Sequence, residues 1–414
     1  MLNCFYWYAF AWCFILFMYL LNFSEFSMPL NNQLLFFIIS TSIVSLILGY
    51  FFRNSFRIKK ANVSTRVALF SGEIKIGYAP VIITSILYML NFLYAGSIPL
   101  IGYLSGQNTY GDDLKPLPHV SVLMIIMALY YSVKYFYYFL LTKSKRYFLC
   151  FVVLLFDLLL MFSRSQLTIV LIATFIIFLQ FKNEQKKLIN KKNIILAFSF
   201  LAMALFLFGV LGNVREGYEW NDNTFIDLLG RYIRFPKFIP GQYKWFYSYA
   251  MSPLSNLNFN IEQQNTTFDF KYLLAQVLTE SLTNRFLPGY HNNMNSMLVR
   301  SYFTVSTGYC DSYIYGGIIG MYFLYFFFIG CSFFVIKMLQ YTQNYREKAV
   351  TLAFLAVMYI INFFQNTFWY TGTSLTFLFC CIVLLINICK IDIGKGERII
   401  IRIIRPIKLR IRVK

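Results

Sequence analysis

Residues 313–336 read YIYGGIIGMYFLYFFFIGCSFFVI, 24 positions without one charged side chain. A helix rises 1.5 Å per residue, so about 20 apolar residues cross the hydrocarbon core of a bilayer. Nothing in the chain shows the turn-separated alternation of a barrel, which leaves helices as the way to satisfy a backbone in lipid. Working outward, comparable blocks run Cys4–Leu21, Gln33–Phe52, Tyr78–Ala95, Val120–Leu141, Tyr147–Phe162, Gln166–Phe181, Ile194–Leu211, Ala349–Gln365 and Thr371–Cys389. The expected fold is an all-α integral membrane bundle of about ten transmembrane helices with a large extracytoplasmic loop containing short helices. The composition agrees, with 58% hydrophobic and 13% charged residues against about a quarter charged in soluble domains. The first block lacks a basic leader and a small-residue cleavage site, so it reads as a retained helix. The pair of blocks flanking Arg164 also allows one long broken segment.

Lys and Arg set the orientation. With the N-terminus taken as cytoplasmic, alternate connections hold Arg53 to Lys75, Lys143 to Arg146, Lys182 to Lys192 and Lys337 to Lys348, and the tail from Lys390 joins them. That places about 26 basic residues inside and about 10 outside, the asymmetry expected of cytoplasmic loops. Both termini are then cytoplasmic. The net charge of +20 is a topology signal divided among membrane-flanking loops, which argues against nucleic acid as a partner. The tail RIIIRIIRPIKLRIRVK suits anionic lipid or a solvated topological anchor. The chain thus divides into seven helices over 1–211 with a smaller extracytoplasmic loop at 96–119, a large extracytoplasmic loop at 212–312, three helices over 313–389, and a basic cytoplasmic tail at 390–414.

The large loop is too long for an ordinary helix connection. It holds Arg215, Arg231, Arg234, Arg285, Arg300 and His291, one of two histidines; the other, His119, lies in the smaller loop with Asp112, Asp113 and Lys115. Thr224 is a cap, Asp227 sits in the first turn, and Phe225, Leu228, Leu229, Tyr232 and Ile233 form an apolar stripe that Pro236 ends. Such a helix would lie in the interface with Arg231 and Arg234 at headgroup level. A second helix is expected over Phe270–Phe286. Trp220, Tyr243, Trp245 and Tyr247 are candidates for stacking on sugars, though loop or interfacial packing is the commoner use of such rings.

Asp157 falls inside the fifth block, and Arg164 follows seven residues later on the same helical face. An intramembrane charge is either functional or a structural ion pair. Lys134, near the cytoplasmic end of its helix, reads as a snorkelling side chain. The eight cysteines show neither metal spacing nor a disulfide framework. There is no Walker loop, dinucleotide fingerprint or HExxH, and Asp112-Asp113 alone is a turn or cap before it is a metal site. No cofactor or metal is expected.

Five short motifs carry a resemblance: GSIPLIGY from Gly96, FSRSQL around Arg164, GVLGNVREGYE around Arg215, YSYAMSPLSNLN from Tyr247, and YHNNMNSM with TGYCDSYIYGGIIG between Tyr290 and Gly320. With this layout they resemble the bacterial O-antigen polymerases, multi-span inner-membrane proteins with a major periplasmic loop in the second half. One departure is the Asp-aromatic-Gly pattern, here spread over Asp311, Ser312 and Tyr315-Gly316-Gly317. The resemblance implies transfer of a growing glycan from undecaprenyl diphosphate to a sugar hydroxyl of another lipid-linked repeat unit. It also implies a chain-length regulator as a partner, alongside the lipid-linked oligosaccharide and the bilayer. The diphosphate leaves as a stable anion and needs positive charge, which Arg164, Arg215, Arg231, Arg234 and Arg285 would supply with their planar forks. The acceptor hydroxyl needs a base, with His291 first and Asp311 and Glu280 behind it. The rival readings are an O-antigen ligase and a lipid-linked oligosaccharide flippase. Transport predicts an internal repeat and charges along several spans, neither of which is seen.

The topology is tested with reporters. One active only when exported should work after Glu280, and one active only in the cytoplasm should work after Lys187. A cytoplasmic 212–312 segment would remove the catalytic scheme with it.

Overall fold

The computed structural model describes residues 2–56, 76–104, 115–184, 191–342, 344–393, 399–403 and 408–410. Each of the ten expected blocks is a helix: α1 Cys4–Leu20, α2 Asn32–Phe51, α3 Ala79–Ala95, α5 Val120–Thr142, α6 Lys145–Leu160, α7 Arg164–Glu184, α8 Lys191–Arg215, α13 Cys310–Tyr341, α14 Tyr345–Ile361 and α15 Thr371–Ile388. A short helix, α4, covers Pro99–Leu104. Among the described residues four helices are long and apolar enough to cross a membrane, over Asn32–Phe51, Val120–Thr142, Ser165–Asn183 and Cys310–Tyr341, and shorter apolar helices include Cys4–Leu20, Ala79–Ala95 and Thr371–Ile386. The chain is an all-α membrane protein, with one addition. The tail carries a three-stranded antiparallel sheet, β1 Cys389–Ile393, β2 Ile399–Ile403 and β3 Lys408–Arg410. Its isoleucines favour extended backbone because branching at Cβ crowds a helix.

Local chemistry sets the helix ends. Asn3, Asn31 and Asn344 cap α1, α2 and α14 through their side chains, satisfying amides that have no partner within the helix. The doubtful pair around Arg164 is two helices, broken where Phe162 takes φ 53°. Asp157 and Arg164 therefore do not share one helical face. Asp157 accepts a hydrogen bond from Ser85 Oγ at 2.7 Å; the Arg164 side chain lies outside the described residues, as do Asp112 and Asp113.

One end of the bundle gathers a folded cap from four more helices: α9 Thr224–Gly230, α10 Tyr243–Glu262, α11 Phe270–Ala275 and α12 Glu280–Phe286. Both helices expected in this segment are shorter than the sequence suggested. The first stops at Gly230, where Arg231 turns left-handed at φ 41°, and Tyr232 instead forms an antiparallel bridge with Ser24. Its buried side is Ile226 and Leu229, packed with Trp245 and Phe303, while Leu228 and Ile233 of the expected stripe are exposed. The second is two helices, α11 and α12, because Thr279 ends the intervening turn as a fresh cap, accepting from Leu282 N.

The central element of the cap, α10, has no counterpart among the expected helices. Its asparagines hold the irregular chain around it. Asn256 Nδ2 donates to Phe303 O at 2.6 Å and Val305 O at 2.9 Å, Asn258 Nδ2 donates to Pro29 O at 3.0 Å, and Asn260 Nδ2 donates to Met297 O at 2.7 Å. Asn258 Oδ1 accepts from Asn31 N at 2.8 Å. The α1–α2 connection is tied to the same helix, where Phe23 N donates to Tyr247 Oη at 3.0 Å.

At the opposite end the structure corrects the reading of Lys134. Its ammonium does not snorkel outward; Nζ lies 2.6 Å from Glu347 Oε1, with side chains only 15% and 6% exposed. Tyr130 Oη donates to the same carboxylate, and neighbouring Arg346 donates to Tyr138 Oη at 2.7 Å. The pair fastens α5 to the first turn of α14. Removing one partner strands the other charge, which typically costs on the order of 3–5 kcal/mol, whereas an apolar pair of similar size is nearly neutral. Lys134→Met and Glu347→Leu should therefore each lower the melting temperature in detergent, and the double variant should regain most of the loss. A double variant no better than either single would show that the pair does not hold the helices.

Candidate functional site

The end of the cap nearest α13 is organised by a kink. The sequence DSYIYGGIIG (311–320) enters α13, and Gly317 breaks the helix at φ 60°, ψ −154°. That conformation is open essentially to glycine alone. The break folds the first turns back onto the rest of the helix: a β-carbon at Gly320 would stand 2.1 Å from the Ser312 carbonyl oxygen. Asp311 is thereby carried into the interior, 2% exposed.

Around Asp311 a polar network closes. Tyr290 Oη donates to Asp311 Oδ2 at 2.7 Å, and Asn293 N donates to the same oxygen at 2.8 Å. Gln276 Nε2 donates to Tyr290 Oη, and Asn366 Nδ2 donates to Gln276 O at 2.8 Å and to its Oε1 at 3.1 Å. The Tyr290 ring is boxed by Tyr272 and Trp369, each 5.0 Å away between centroids, and by Tyr315 at 5.9 Å. Burial, and then the Asp311 charge, push the Tyr290 hydroxyl far above the usual tyrosine range, so it stays protonated as a donor.

Two candidates adjoin this network, and a third lies on the same short helix as one of them. His291 follows Tyr290 directly and is exposed. Glu280 opens α12; its N–H donates to Trp369 O at 2.9 Å and its Oε2 accepts from Thr371 Oγ1 at 3.3 Å. Arg285 is exposed in the last turn of α12 and has no ion pair among the described residues. The backbone of Arg164 starts α7 close by, since Ser165 Oγ and Tyr370 Oη are 3.4 Å apart.

Arg231 and Arg234 are held elsewhere. Arg231 Nη1 is 3.5 Å from Glu25 Oε2, its carbonyl accepts from Glu25 N at 3.2 Å, and Arg234 N donates to Phe23 O at 3.4 Å. Both stand exposed beside Ile233, Lys237 and Phe238, a cationic and apolar rim on the α1–α2 side of the cap. Arg215 ends α8, and its side chain lies outside the described residues. Among the rings, Trp245 donates to Asn213 Oδ1 at 2.6 Å, Tyr247 is buried, and Tyr243 Oη donates to Ala202 O at 3.0 Å; Trp220 alone of the four is largely exposed with its ring. Among the described residues no cluster of three or more His, Cys, Asp or Glu is placed to hold a metal.

A family model described as "Putative O-antigen polymerase" matches residues 3–234, more than half of the 414-residue chain. The chain belongs to the O-antigen polymerase family. No curated protein and no solved structure matches it. The matched stretch contains Arg164, Arg215, Arg231 and Arg234, whereas Glu280, Arg285, His291 and Asp311 lie outside it. Gln276, Tyr290, Asn293, Asn366 and Trp369 were not among the residues the sequence singled out. Only the position of Tyr290 next to His291 in YHNNMNSM hinted at any of them.

Alanine at Gly317 should strain the kink by about 1–3 kcal/mol and loosen the Asp311 network. Gly317→Ala should melt earlier in detergent and give shorter polysaccharide ladders. Gly330→Ala is the control, since its β-carbon would meet no atom within 4 Å. Equal behaviour of the two variants would dissociate the kink from the site.

Proposed function

We propose that this member of the family polymerises undecaprenyl-diphosphate-linked repeat units at the periplasmic face of the inner membrane. It is a multi-pass glycosyltransferase with about ten spans, both termini cytoplasmic and the 212–312 segment outside. Family membership supports the general activity. The observation that carries the finer reading is the buried Asp311–Tyr290 network at the loop end of an apolar bundle, with His291 next to Tyr290 in the chain and Glu280 held by Thr371 beside Trp369.

In the reaction, a hydroxyl oxygen of the acceptor sugar attacks the anomeric carbon of the donor. The bond from that carbon to the diphosphate oxygen breaks, and its electron pair leaves on the diphosphate. The hydroxyl proton passes to His291, whose exposed imidazole is free to meet a sugar; Glu280 is the next candidate. Arg285 and Arg164 are assigned the charge that builds on the diphosphate, because guanidinium forks pair with phosphate oxygens at two points. Arg231, Arg234 and Arg215 serve the lipid-bound anion along the rest of the cap. Leaving-group stabilisation by arginine requires no nucleotide and no metal. A chain-length regulator would meet the same end of the bundle.

The lipopolysaccharide of a deletion strain tests the reading. A polymerase deletion leaves a single repeat unit on the core, whereas a ligase deletion leaves none on the core and retains long lipid-linked polymer. In complemented strains matched for protein level, Arg285→Ala should lose on the order of 10²–10³ in rate and Arg285→Lys less. His291→Ala should lose roughly 10²–10⁴ while still binding lipid diphosphate. A normal ladder from His291→Ala would remove histidine from the mechanism.

A further inference from the structure

We infer that Asp311 is a positioning residue: its buried carboxylate clamps the turn that carries His291, and does not itself take the acceptor proton. The inference rests on the assignment of His291 as base. The carboxylate has one oxygen, Oδ2, occupied by two donors, and they bracket His291 in the chain. Tyr290 Oη reaches it from the residue before, at 2.7 Å, and Asn293 N from two residues after, at 2.8 Å. The bracketed turn also closes on itself, with Asn293 left-handed at φ 61° and Met294 N donating to His291 O at 3.2 Å.

Each arm of the clamp is fixed in turn. Tyr290 is fully buried among three aromatic rings, and its hydroxyl also accepts from Gln276. Asp311 is fixed by the kink at Gly317. His291 therefore cannot shift relative to α13 without breaking a buried hydrogen bond to a carboxylate, among the stronger kinds. Asp311 has no route to substrate of its own. It is 2% exposed, and its second oxygen, Oδ1, is buried with no donor. An acceptor left unmet in the interior costs stability. Asparagine is the test variant because it keeps the shape and an oxygen that accepts from Tyr290 and Asn293 while removing the charge. Asp311→Asn should fold, with both arms weakened from charged to neutral hydrogen bonds. Tyr290→Phe cuts one arm and keeps the ring in its box.

The experiment combines activity with a spectroscopic readout. Purified enzyme is assayed with lipid-linked repeat units extracted from the deletion strain. Misplacing a reacting group by about 1 Å costs up to the order of 10²-fold, so Asp311→Asn and Tyr290→Phe should lower kcat by roughly 10-fold or more with KM little changed. In a His291→Ala background the same substitutions should cost nothing further, because residues acting through one group are not additive. The chain has only two histidines, so carbon-13-labelled histidine gives two imidazole signals, assigned with His119→Gln. Asp311→Asn and Tyr290→Phe should shift or broaden the His291 signal and leave that of His119 in place. Unchanged His291 signals in both variants would overturn the clamp. A further loss of activity when Asp311→Asn is added to His291→Ala would overturn it too, and would make the carboxylate a participant. If His291→Ala were fully active while the signal still moved, the clamp would stand and the assignment of the base would fall.

Discussion

Backbone that leaves the bilayer and returns without regular structure must find hydrogen-bond partners where water is scarce, and the cap depends on how that demand is met. The side-chain amides of α10 meet it. Asn256, Asn258 and Asn260 serve carbonyls and amides from Pro29 to Val305. The cap is thus built around these three asparagines, whose side-chain amides are all partnered, and the apolar clusters fill in around them. A satisfied polar network of this kind specifies one arrangement more sharply than apolar packing does.

The charged groups divide by depth. Where a cation is buried, as at Lys134 and Arg346, it has a fixed partner on a neighbouring helix and holds the bundle together. Arg234 and Arg285 stand exposed at the loop end, where a mobile anion is within reach. Arg231 lies between these cases, since its pairing with Glu25 is long and exposed and such pairs contribute little. A lipid diphosphate would displace that carboxylate at small cost.

The apolar helices were legible because a hydrophobic block is a local property, and all ten blocks became helices within a few residues of their expected ends. The exception at the end of the chain is the sheet formed by its isoleucines. The cap was legible only in part. Its longest helix, α10, is rich in Ser and Asn and contains Pro253, which in sequence reads as loop. The amides that justify burying it find partners more than 200 residues away. Pro236 looked like the end of α9, but the chain had already turned at Gly230 to let Tyr232 reach Ser24. His291 and Glu280 were visible as the few titratable groups in the loop. That Asp311 sits beneath them was not, because one glycine conformation decides it. Lys134 was misread for the same reason: its partner Glu347 is far along the chain.

The 216–309 segment looks in sequence like a cassette between two sets of spans, yet it is not a module. Its bonds run outward to Phe23, Asn31, Asn213, Asn362, Asn366 and Trp369. Leu228, Ile233 and Phe238 of its rim turn apolar surface outward, as a face that meets lipid would. Evolution therefore cannot change what this end of the protein handles by swapping the segment alone. A graft from a relative would have to bring residues 22–31 and 362–371 with it.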